Sequence, residues 1–249
     1  MSGPRPLVLL VLAVFAVLAG ALPSAAQSIQ ITGLDQATAS LTSQSMLLIA
    51  AITLLSLAPG LAVMITCFPF IVTVMSILRQ AIGLQQSPPN MLIVSLSLFL
   101  TWFIMEPVFT EAWLTAGKPL MEGSLDLPAA METGILPFRA FMAARLDPDT
   151  LRELAILRPE TAALTDAGDA PLSLLIPSFM LSEVARAFEI GFLIYLPFLI
   201  IDLVVSAILM SMGMMMVPPA VVSMPFKLAF FVVADGWALI SGALVRSYF

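Results

Sequence analysis

Polar residues are confined to a few stretches of this chain, and between them apolar residues run on for longer than a water-soluble core requires. Met46 to Leu78 contains no charged residue and exceeds the roughly 20 residues that span a bilayer. Pro59-Gly60 and Pro69 interrupt that run, which predicts one long kinked or broken helix rather than two regular spans. Arg79 to Asn90 holds Gly83 and Ser87-Pro88-Pro89-Asn90, a turn signal. Met91 to Met105 is the next apolar helix, predicted to end near Glu106-Pro107. From Pro171 to Phe249 the chain is apolar again, with charges embedded in it. There Ile176, Phe179, Met180, Val184, Ala187 and Phe188 recur at helical spacing, beside a polar stripe of Ser182, Arg186 and Glu189. Glu183 lies one turn from Arg186, and a lipid-facing helix would carry no such stripe. The pattern predicts an all-α fold, a polytopic set of membrane-type helical hairpins.

Two segments stand apart from these helices. Residues 1–26 read as a secretory signal peptide, with Arg5, an apolar stretch from Leu7 to Leu22, and a Pro23-Ser24-Ala25-Ala26 site before Gln27. A retained signal anchor is the rival reading. Residues 106–170 carry eleven acids and five bases, a net of −6 that equals the formal charge of the whole protein. Pro128, Pro137, Pro148 and Pro159 divide this stretch, and Asp149 to Leu157 reads as one short helix within it. Its scarcity of bases and the upstream signal place it outside the cytoplasm. The organisation is thus a signal at 1–26, a polar lead and first hairpin at 27–105, an acidic extracytoplasmic region at 106–170, and C-terminal hairpins at 171–249.

Composition narrows the chemistry. Hydrophobic residues make up 60% and charged residues 10% of the chain, and the mean hydropathy is +1.06, outside the range of soluble domains. There is no histidine, and the single cysteine, Cys67, sits in an apolar run where it reads as a small buried hydrophobe. No phosphate-binding loop, dinucleotide fingerprint or HExxH pattern occurs, so neither a cofactor nor a metal is expected. Ten scattered bases against sixteen acids do not make a nucleic-acid surface.

Charges inside apolar helices are costly and therefore candidates for function. Asp202 and Lys227 bound a run of uncharged residues whose midpoint falls in the Met214-Met215 pair. A reversal between Gly213 and Pro219 would bring the two charges to equal depth on antiparallel helices, about 18 Å below the turn. That geometry suits a buried ion pair; alternatively each charge meets water, a neighbouring subunit or its own backbone. Glu183, Arg186 and Asp235, the last within Asp235-Gly236-Trp237, are further candidates for buried, assembly-bearing charges. Met210, Met212, Met214, Met215 and Met216 crowd the predicted reversal. In a core they would be adaptable filler; converging from several copies they would form a deformable apolar constriction that blocks ions and water.

Several of these blocks resemble the FliP family. Arg79-Gln80-Ala81-Ile82-Gly83 with Pro88-Pro89-Asn90 is similar to its RQALG…PPN segment, and Ser182-Glu183 through Phe192 to its SELKTAFQIGF helix. Pro197 to Val204, Met212 to Pro219, Pro225 to Leu228, and Val233 with Asp235-Gly236-Trp237 follow in the same order. Three departures stand out: Pro69-Phe70 where the family has Thr-Arg, Ala185 where it has lysine, and Glu189 for a glutamine. The resemblance implies a non-enzymatic subunit of a type III export gate. In such a gate five copies assemble with Q-type and R-type subunits, FliQ and FliR, into a closed helical conduit standing largely above the plane of the inner membrane. The methionine loop is there the gasket of the pore. The signal and the long acidic middle favour the flagellar branch, hence the basal body and flagellar export substrates, over the injectisome branch.

Two other classes fit less well. A transporter would show polar residues lining several spans and usually two related halves, and neither is seen. An intramembrane aspartyl protease would need Asp202 and Asp235 in YD and GxGD contexts that this sequence lacks. The signal reading makes one prediction. N-terminal sequencing of the membrane-extracted protein should begin at Gln27, whereas a start at Met1 would mean a retained anchor.

Overall fold

Proline marks where most of the helices begin. The structure, a computed structural model, describes residues 60–83, 88–162, 164, 166–214 and 216–249, with a few helical positions between 45 and 56. The signal segment and most of the polar lead lie outside the described residues. The chain divides into a unit ending at Leu54 and a second, Leu55–Phe249, to which everything below belongs. Its helices among the described residues are α1 (Phe68–Ile82), α2 (Asn90–Ala112), α3 (Lys118–Met121), α4 (Leu127–Gly134), α5 (Leu136–Arg145), α6 (Pro148–Ile156), α7 (Leu172–Ser211), α8 (Pro219–Val233) and α9 (Gly236–Arg246). All but α9 have a proline at the cap or in the first two positions. A first-turn proline loses nothing, because its missing N–H would have no intrahelical partner and its φ is already helical. No strand occurs among the described residues, so the fold is all-α.

Within the long apolar run, the described residues from Gly60 on form a broken helix. A helical stretch covers Gly60–Met64, the chain turns at Ile65–Cys67, and α1 starts at Phe68 with Pro69 in its first turn. α1 is the core helix, packed along α7 on one side and against α2 on another. Phe70, Ile71, Val74 and Leu78 are fully buried there with Met105, Ala187, Phe198 and Leu244. At Gly191 the backbone of α7 comes so close that a Cβ would lie 2.4 Å from Ile77 Cδ1 and 3.3 Å from its Cβ. A second core lies under the middle region, where Met142, Leu146, Leu151 and Ala155 meet Leu174, Leu175 and Phe179 of α7. Phe141 touches both cores.

The expected end of the second helix at Glu106-Pro107 is not observed. α2 continues to Ala112 and runs on through a π-helical turn, Trp113–Gly117, into α3. Val108 and Phe109 pack against the main core, and that tertiary contact carries the helix through the one N–H that Pro107 removes. The first part of the acidic region is therefore helix continuous with the apolar span. Its remainder is the short helices α4 to α6, with Asp126 and Asp147 as side-chain caps. The Asp147 carboxyl is held below the usual carboxylate range, first by the hydroxyl and then by the N–H of Thr150. A lowered folded pKa means that this cap stabilises above the ordinary carboxylate pKa and is lost as pH falls through the lowered one.

Two helical stretches, Asn90–Met121 and Leu172–Ser211, are long and apolar enough to cross a bilayer. α8 and α9 make a third when taken together, bent by 61°. The packing at Gly191 has a direct test. Gly191→Val should destabilise the detergent-extracted protein by about 1–3 kcal/mol through overpacking on Ile77, seen as a lower thermal midpoint, with Gly191→Ala milder. An unchanged midpoint for the valine variant would show that α1 and α7 can part without loss.

Candidate functional site

α7 ends and the chain reverses where Gly213 supplies a left-handed φ of 73°. The Gly213 N–H donates to the Met210 carbonyl at 3.0 Å and the Met214 N–H to the Leu209 carbonyl at 3.0 Å, the paired bonds of a Schellman cap. Pro218 and Pro219 then start α8, which packs back on α7. Met210, Met212, Met214 and Met216 are all exposed, Met216 at 97%. Met215 lies outside the described residues. Within this chain, then, the described methionines of the cluster are not core filler. Below the turn, α7 and α8 leave an apolar groove of about 410 Å³ between them, lined by Ile201, Val205, Leu209, Val222 and Phe226 among others.

The base of this hairpin is tied by charge. Lys227 Nζ donates to Asp202 Oδ2 at 2.6 Å and to the Ala81 carbonyl at 3.1 Å, in the last turn of α1. Ser223, one turn before Lys227, donates to Asp202 Oδ1 at 2.6 Å. The ammonium thus links α8 to α7 and to the C-terminal end of α1, where the helix dipole favours a cation. Lys227 is buried, whereas the Asp202 side chain keeps 35% of its surface exposed. Arg79, nearby in sequence, donates to Asn90 Oδ1 and so joins the end of α1 to the start of α2.

A second polar cluster surrounds Glu183, which is fully buried. Arg145 Nε donates to Glu183 Oε1 at 3.3 Å and Arg186 Nη1 to the same oxygen at 3.5 Å, while the Tyr248 hydroxyl donates to Oε2. Arg145 also donates through Nη1 to the Ser247 carbonyl at 2.6 Å, and its guanidinium lies 3.9 Å above the Tyr248 ring. Burial first, then the negative charge of Glu183, keeps the Tyr248 phenol protonated far above its usual range. Ser182 joins the cluster by accepting the Asp147 N–H at 3.0 Å.

The structure redistributes the charges singled out in the sequence. Asp202 meets Lys227, and Glu183 meets Arg186, which remains partly exposed. Asp235 is not buried: it is exposed, with a left-handed φ of 48°, at the joint between α8 and α9. The buried face of α7 also differs from the apolar spacing. Ser178, Ser182 and Glu183 point inward while Phe188 is exposed, because the serine hydroxyls donate to carbonyls one turn earlier and Glu183 finds cations. Arg145 and Tyr248 were not singled out, and only a distant, unpaired Arg in the acidic region could have hinted at the first. Among the described residues no group of His, Cys, Asp and Glu could hold a metal ion.

This is an all-α, membrane-type protein whose last hairpin carries an exposed methionine turn above a buried ion pair. The FliP family model matches residues 51–244. The flagellar biosynthetic protein FliP of Caulobacter vibrioides is 47% identical over 244 residues, covering 96% of this chain and 90% of that protein. Its counterpart in Agrobacterium fabrum is 45% identical over 79% of this chain and 81% of its own length. The Bacillus subtilis protein of the same name is 41% identical, over 83% and 93%. The chain belongs to the FliP family.

The three-way tie sets an expectation. Asp202→Ala leaves the Lys227 ammonium with one carbonyl, a loss of about 3 kcal/mol, the low end for a buried pair because Asp202 is partly solvated. Either single alanine variant should reduce the amount of folded protein recovered from membranes, and the double variant should recover part of it. Losses that simply add would show that the two charges act independently.

Proposed function

We propose that this protein is a subunit of the flagellar type III export gate in the bacterial inner membrane, needed to assemble the flagellum. Five copies, with FliQ-type and FliR-type partners, form the conduit for unfolded flagellar proteins, and the methionine turn closes it. The observation that carries this reading is the exposure of Met210, Met212, Met214 and Met216 at a turn fixed by Gly213 and anchored by a charged tie below it. A monomer whose methionines only filled space would bury them. Side chains that are long, apolar and unbranched suit a closure that must yield to a passing chain and re-form behind it.

Three further features support the reading. The outer face of α7 exposes Phe188, Phe192, Leu193, Ile200, Leu203 and Val204, surface suited to neighbouring helices of an assembly. The relatives are named as flagellar biosynthetic proteins. The acidic region supplies a solvated face, which on this reading lies on the periplasmic side toward the basal-body ring.

Replacing Met214, Met215 and Met216 by Ala separates a closure from a packing role. Core methionines would cost about 2–5 kcal/mol each and lower the yield of complex. A closure predicts normal yield of the co-expressed, co-purified complex together with raised ion conductance across membranes that contain it. Lost yield, or normal yield without leak, rejects the closure; a protein that purifies alone and never with partners rejects the subunit assignment.

A further inference from the structure

The α8–α9 arm is attached in an uneven way. Its near end is tied by Lys227 to α7 and α1. Its middle is a 61° bend at Ala234-Asp235, where Asp235, a residue with a Cβ, takes a left-handed φ of 48°. Aspartate tolerates that conformation better than most residues with a Cβ, yet it remains uncommon outside glycine. The Phe231 ring braces the joint, so close to Gly236 that a Cβ there would lie 2.2 Å from it. Beyond the bend α9 does not close fully on α7: an apolar gap of about 120 Å³ lies between Ile190 and Ile194 on one side and Leu239, Ile240, Ala243 and Leu244 on the other.

The far end is held by Leu244 in the main core and by the residue pair just after α9. Tyr248 donates to Glu183, lies under Arg145, stacks on Phe141 at 6.0 Å and meets Phe70 edge-on at 5.6 Å. The Ser247 carbonyl accepts from Arg145. The cluster is also incompletely satisfied, since Arg145 Nη2 is buried without a hydrogen-bond partner.

We propose that Arg145, Glu183 and Tyr248 form a releasable clasp, and that α9 swings away from α7 about the Asp235 joint when Tyr248 leaves it. The three observations point the same way. The joint is held in an uncommon backbone conformation, part of the space beneath the arm is unfilled although Ile240 and Leu244 reach the main core, and the polar restraint at the far end is one side chain engaging a charged pair. Release leaves Glu183 with two cations, so the partners left behind remain compensated. The same motion uncovers the underside of α5, which makes the seating of the middle region depend on the end of α9.

The test reads the position of α9 and is independent of whether the methionine turn closes a pore. In the full chain in native membranes, with Cys67→Ala, a cysteine is placed at Ile240, which is buried and faces the gap, or for reference at Val74 in the main core. The rate of maleimide labelling is measured for each. Tyr248→Phe, which keeps the ring and removes the hydroxyl, should raise labelling at position 240 at least fivefold, and Tyr248→Ala should raise it further, with position 74 unchanged. Equal rates at 240 in all three backgrounds would overturn the clasp. So would a parallel rise at 74, which would mean general loosening, or disappearance of the Tyr248→Phe protein, since a releasable contact cannot be required for folding.

Discussion

An ammonium group inside a bundle of apolar helices must find its acceptors within the fold, because water is not at hand to supply them. Lys227 finds a carboxylate on α7 and a backbone carbonyl in the last turn of α1, and Ser223 occupies the other oxygen of that carboxylate. The consecutive helices α7 and α8 and the sequence-distant α1 are thereby fixed in register. The hydrophobic effect alone would not do this, since apolar helix faces slide over one another at little cost. The height of the methionine turn above the core follows from that register. It is set by the length of α7 beyond Asp202 and of α8 before Lys227.

Two polar clusters lie on the one long helix, and each joins that helix to a different part of the chain. Asp202 binds it to the hairpin that follows, and Glu183 to the middle region through Arg145 and to the end of α9 through Tyr248. The middle region is therefore not a freely hanging acidic loop. It seats on α7 through its own small core and through the partly buried guanidinium of Arg145.

Much of the architecture was legible in the residues because proline, glycine and isolated charges carry positional meaning. The reversal at Gly213, the starts of α4, α5 and α6 at their prolines, and the meeting of Asp202 with Lys227 could all be read in that way. The continuation of α2 through Pro107 could not, since it depends on Val108 and Phe109 reaching a core built from distant segments. The inward face of α7 is legible only in part. Glu183 reads as a candidate buried charge and is buried, but the burial of Ser178 and Ser182 beside it, with Phe188 left outside, depends on the helix's own carbonyls satisfying the hydroxyls. Tyr248 gave no signal at all: a tyrosine near the end of an apolar stretch has no pattern that names its partner. The placement of Asp235 at a joint rather than in a buried pair rests on φ, which spacing does not reveal.

α7 is 40 residues long, about 60 Å of continuous helix, and its two anchoring carboxylates are separated by about 28 Å along its axis. A rod held at two such points acts as a lever. A tilt of about 10° about Glu183 would carry Asp202 sideways by about 5 Å, close to one helical pitch. Pro197, lying between the two, cannot donate to the carbonyl one turn back, so bending is cheapest there. Strain applied at the outer end of the rod is therefore taken up first at Pro197, before it reaches the methionine turn.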